Sequence, residues 1–160
     1  MSATDIILRH YNRVLDGDAW HGDPVWQILK GIPAHKAAER PLPEGHTIWE
    51  IVAHMTFWEG VVTKRLNGDR AGLVEELNFP AMPPVTEENW RGALDEFRTS
   101  NAAFREALQR LDPSELEQLS AAGKRTYYEE AHGIIEHHVY HAGQIALLKK
   151  TQQNTARGAA

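Results

Sequence analysis

Apolar residues recur at intervals of three, four and seven in four separate stretches of this chain, and that period dictates helices. The first stretch covers roughly residues 3 to 17, with Ile7, Tyr11, Val14 and Leu15 on one side and Gly17 as a stop. The second opens at Thr47 and runs Ile48, Ile51, Val52, Met55, Trp58, Val62, Leu66 before Asn67-Gly68-Asp69 ends it. The third opens at Thr86 and carries Trp90, Leu94, Phe97, Phe104, Leu108 and Leu111, stopping before Asp112-Pro113. The fourth runs from Thr126 to about Lys150. Thr47 with Glu50, and Thr126 with Glu129, have the spacing of capping boxes, in which the two side chains satisfy free amides at a helix start. No pair of alternating segments flanks a hairpin turn, and no repeat is visible. Four long amphipathic helices predict an all-α fold, a four-helix bundle.

The remaining segments are connections. Residues 20–45 are rich in Gly and Pro, with a short helix expected at 24–29 and with Trp20, Trp26 and Ile28 as anchors. Residues 69–85 hold Pro80, Pro83 and Pro84 and show no period, and such long connections are uncommon. Another short helix is expected at 114–119. A chain of 160 residues with 42% hydrophobic content is enough for one domain with a real core, here expected over 1–152, with 153–160 as a flexible tail. The formal charge of -5 argues against nucleic acid as a partner, because phosphate binding wants a basic surface. No segment reads as a signal peptide or as a bilayer span, so the expected location is the cytoplasm, away from membranes.

Chemistry concentrates in the fourth helix, in His137-His138-Val139-Tyr140-His141-Ala142-Gly143-Gln144. Residues four apart on a helix share a face, roughly 6 Å apart along the axis, so His137 and His141 converge. The stripe Ile134, His137, His141, Gln144, Leu148 has apolar ends, which turns that face inward. His54 borders the apolar face of the second helix, between Ile51, Met55 and Trp58. If the two helices are neighbours, three imidazoles meet. The chain has no cysteine, so a metal would have to be held by His or carboxylates. Three imidazoles with an open position suit zinc, nickel or iron and form a catalytic type of site. Packed, hydrogen-bonded core histidines are the alternative reading.

The neighbours have plainer expectations. Gln144 orients a ligand or is a packing amide; Glu50 is a cap before it is a partner of His54. Glu130 and Glu136 read as solvated helix surface, and His138 as surface or supporting residue rather than a fourth ligand. His10 reads as packed on the first helix; His21, His35, His46 and His132 read as loop or helix-end residues; Trp58 reads as core. Asn101 interrupts an apolar stripe, so it faces a polar pocket or sits at the edge.

The segments Ile48-Trp49-Glu50-Ile51-Val52-Ala53-His54 and Gly133 to Gln144 resemble the DinB superfamily of DinB/YfiT-like metalloenzymes. Arg40-Pro41, Asn78-Phe79-Pro80 and Trp90 fit the same pattern, over roughly residues 5 to 150. The resemblance implies an up-down-down-up bundle, with 69–85 as the long crossover between the second and third helices. It implies that His54, His137 and His141 are the metal ligands; no catalytic residue is assigned. It also implies a small-molecule substrate, a homodimer, and a thiol-dependent S-transferase or isomerase that activates a low-molecular-weight thiol or water. A metal-dependent hydrolase belongs to the same class of reading. The alternative is a non-catalytic bundle that binds a metal or small ligand.

Overall fold

The computed structural model describes residues 1–72 and 75–158. Four long helices dominate: α1 (Ala3–Leu15), α4 (Ile48–Leu66), α6 (Glu87–Arg110) and α7 (Tyr127–Gly158). Between them lie α2 (Val25–Leu29), α3 (Ala34–Ala38), α5 (Glu75–Asn78) and a 3₁₀ turn at Pro113–Glu115. Among the described residues the only strand-like pairing is an isolated bridge between Leu119 and Thr126. The chain is therefore an all-α bundle. Three helix starts carry reciprocal caps. Ser2 pairs with Asp5, Thr47 with Glu50, and Thr126 with Glu129.

Packing partners define the bundle. α4 packs against α6 and α7, and α1 packs against the same two, so α1 and α4 lie across a diagonal. Side-chain contacts fix the directions. Trp49 meets Trp90 at the starts of α4 and α6, and Arg110 reaches Asn67 at their ends, so α4 and α6 are parallel neighbours. Arg65, at the end of α4, binds Glu130 at the start of α7, so α7 runs the opposite way. Parallel neighbours force the chain to travel back the length of a helix, roughly 28 Å for 19 residues. The Pro-rich connection after α4 makes that return and carries α5.

The expected apolar stripes of α4 and α6 are the buried ones, except that Trp58 and Leu94 are half-buried. On α7 the expected line is turned inward, with Ile134, His141 and Leu148 buried and His137 and Gln144 half-buried, but a second line, Ala131, Ile135, His138, Ala142 and Ile145, is buried beside it. Trp20 is fully exposed and anchors nothing; the expected Trp26 and Ile28, both half-buried against the core, do that work together with Val25 and Leu29. The helix expected at 114–119 is only the 3₁₀ turn, because Gln118 and Ser120 turn their amides to turn and bridge partners. Instead, α3 forms in the first connection, stapled to α6 and α7 by Glu87 on the Ala34 amide and Gln152 on the Lys36 carbonyl.

One polar residue sits in the middle of this core. Glu59 of α4 has no exposed surface. It accepts hydrogen bonds from Tyr11 of α1, from Asn101 of α6 at 2.8 Å, and from His138 of α7 at 2.8 Å. Burial pushes its carboxyl pKa up, and the bonds from His138 and Tyr11 more than reverse this, holding it below the usual range. Glu59→Ala would strand three buried donors, so the expected loss is about 3–5 kcal/mol in urea unfolding. A loss under about 1 kcal/mol would mean that the carboxylate is dispensable to the bundle.

Candidate metal centre

The bundle brings His54, His137 and His141 together. Their ligand atoms all lie within 4.8 Å of one another, a group that could hold a metal ion. The convergence is specific to one nitrogen of each ring. His137 Nε2 is 3.0 Å from His54 Nε2 and 3.1 Å from His141 Nε2. Tetrahedral zinc bonds of about 2.0–2.1 Å would separate ligand nitrogens by roughly 3.3 Å.

The other nitrogens decide what those atoms are. His54 Nδ1 is 2.9 Å from the carbonyl oxygen of Asn78, which can only accept, so the ring carries its proton there. A neutral ring then presents a lone pair at Nε2. His141 Nδ1 is 2.6 Å from Gln144 Oε1 and is held the same way. Two lone pairs therefore point at one spot, which is repulsive unless a cation or a proton lies between them. His137 Nδ1 is buried with no side-chain or backbone partner.

A neutral His137 carries one proton, either on Nε2 between those lone pairs or on Nδ1, which leaves a third Nε2 lone pair for a metal; a second proton on any ring is disfavoured. Burial pushes the His137 imidazole down to about 3, helped by the neighbouring His141, His138 and His54. Burial likewise lowers His141 to about 4, against the opposing bond from Gln144. His54 is lowered by burial, partly offset by Asn78. The three rings are thus neutral at pH 7, the state a metal ligand requires. These donors fit a divalent transition metal.

The crossover supports the centre. Phe79 stacks face to face on His54 at 4.3 Å, and His46 stacks on its far side at 3.8 Å. Asn78 Oδ1 accepts from Trp58 Nε1 at 2.8 Å, which ties α5 to α4. Beside the triad is a cavity of about 690 Å³, lined by His137, Trp58, Val62, Ile134 and Tyr140 among others.

Other expected positions sort as follows. Gln144 reaches His141, whereas Glu50 stays with its cap, Arg40 and His46. Glu136 is exposed, but Glu130 is buried, bound to Arg65 at 3.0 and 3.1 Å. Solvating Glu130 would have left Arg65 without this partner. His138 is fully buried on Glu59, not at the surface. His10 is exposed against His132, not packed inside. Asn101 is buried, donating to Glu59 and accepting from Trp26. Glu59 and its network were missed from sequence. The available signal was the second helical stripe of α7, Ala131, Ile135, Ala142 and Ile145, which centres on His138.

The sequence profile of the DinB superfamily matches residues 19–145, a span that contains His54, His137, His141 and Gln144. No curated protein and no solved structure matches the chain.

The depressed imidazoles have a consequence for stability. An unfolded histidine takes up its proton near pH 6.5, whereas folded His137 and His141 do so only near 3 and 4. The unfolded state binds more protons in that window, so the metal-free protein loses stability as pH falls from about 6.5 to about 4. Urea midpoints of the chelator-treated protein across this range should fall more steeply for the natural chain than for His137→Gln/His141→Gln. Equal slopes would contradict the burial of neutral rings.

Proposed function

From the premise that the chain belongs to the DinB superfamily, we propose a metal-dependent enzyme that acts on a small molecule at the His54, His137, His141 centre. The observation that carries this reading is the inward aim of two lone pairs, enforced by the Asn78 carbonyl and Gln144. Zinc, nickel or iron suits three imidazoles. When bound, such a metal acts as a Lewis acid that lowers the pKa of a thiol or a water. The most concrete form of the reaction is thiol-dependent S-transfer or isomerisation, with a low-molecular-weight thiol as co-substrate.

The chain's own residues do the rest. His54, His137 and His141 supply neutral donors. Asn78 and Gln144 hold their rings in one tautomer and one orientation, so no reorganisation is needed when a ligand arrives. Trp58, Val62 and Ile134 give the adjoining cavity an apolar wall that keeps water from a bound molecule. Its volume suits a metabolite-sized ligand and not a polymer. Among the described residues no helix is long and apolar enough to cross a membrane.

Protein purified without a histidine tag should contain about one transition-metal ion per chain by mass spectrometry. His137→Ala/His141→Ala should contain almost none. Equal, negligible metal in both would overturn the metal reading. With metal established, electrophilic substrates should be consumed only when a thiol is supplied. Inertness with every thiol tried would remove the transferase and favour a non-catalytic binder.

A further inference from the structure

The cavity beside the triad continues into a second. The second has a volume of about 820 Å³ and shares Trp58, Arg65, Arg125 and Glu130 with the first. Its far end is walled by the loop before α7 and by Arg70 and Gly72 of the crossover. Charge changes along this groove. Near His137 the lining includes Glu129 and Glu136, with Glu129 already bound to the Thr126 amide. Where the two cavities meet, Arg65 is neutralised by buried Glu130, its Nε held by the Ala71 carbonyl at 2.7 Å. That leaves Arg70, Lys124 and Arg125 on one concavity with no carboxylate partner among the described residues. Three exposed cations without a carboxylate partner among the described residues, in a chain of net charge -5, run against the overall field.

We propose that this far end is an oxyanion subsite, which holds the carboxylate or phosphate of a small molecule whose reactive end reaches the triad. The inference rests on the site reading above and deepens it, naming the substrate class as anionic. A guanidinium offers two parallel donors to a carboxylate or phosphate, and Arg70 and Arg125 both line this one cavity. The apolar faces of Trp58, Ala121 and Ala122 lower the local dielectric and focus the field of the cations into the groove. The acidic residues at the other end oppose a uniformly charged polymer. A molecule with one anionic end and one uncharged, reactive end matches both halves.

The test is calorimetric titration of the full-length protein with inorganic phosphate and, separately, with succinate. Each is run before and after metal removal by a chelator. Saturable binding of at least one anion, persisting without metal, is expected, and the tighter of the two identifies the group recognised. Arg70→Ala/Arg125→Ala should weaken it by about tenfold or more, the scale set by losing charge-assisted hydrogen bonds, with metal content unchanged. Arg91→Ala, an exposed cation away from the groove, should bind as the natural chain does. No saturable binding of either anion would overturn the proposal. So would binding that requires the metal and ignores the arginine variant, because the anion would then sit on the triad. Metal content is read on the same samples, so a missing subsite and a missing metal centre give different results.

Discussion

A single buried carboxylate ties the bundle together. Glu59 on α4 takes one hydrogen bond from each of α1, α6 and α7, so every long helix contributes to one polar point with no exposed surface. Such a group is expensive to bury and is tolerated only when its lone pairs are met. The condition restricts the helices. Sliding α7 one turn along α4 would separate His138 from Glu59 and leave both without their partner. The same register sets the metal centre, because His137 precedes His138 and His54 lies on α4 one to two turns before Glu59. The network thus holds His54 opposite His137 and His141.

Two polar layers therefore lie next to each other in one bundle, and their chemistry differs. In the Glu59 layer three donors meet one carboxylate, with His138 Nδ1 left buried and without a partner. In the triad, the Nε2 lone pairs of His54 and His141 both approach His137 Nε2, with Nδ1 protons held outward by Asn78 and Gln144. His137 and His138 are adjacent in sequence and identical in type, yet only His137 points its Nε2 at other imidazoles. Partner geometry separates a stabilising histidine from one suited to bind a metal. The triad also opens at His137 onto the groove, whereas the Glu59 layer is sealed.

Much of this was legible in the residues. Helical periodicity located α1, α4, α6 and α7, and two capping boxes marked starts that the structure keeps. The two-helix origin of the triad was legible because His137 and His141 share a face and His54 borders another. The rest was hidden by ambiguity of period. On α7 two stripes one residue apart both have helical spacing and both are buried, and only packing against Glu59 and Phe97 shows that the one through His138 is buried as well. Glu59 sits on the apolar stripe of Val52, Met55, Val62 and Leu66, but a glutamate in a helix ordinarily faces water and so reads as its edge. Glu130 was misread for the same reason; its partner Arg65 is far away in sequence. Short α3 and α5 depend on tertiary staples more than on their own propensity.

The central claim is that three specific nitrogens aim at one ion. Crystals of the metal-loaded protein, measured at the absorption edge of the bound metal, test it directly. The account predicts one strong anomalous peak about 2.0–2.1 Å from Nε2 of His54, His137 and His141, with Glu59 and His138 away from it. A peak elsewhere, ligation through Nδ1, or no peak at the triad in a protein that carries stoichiometric metal would contradict it.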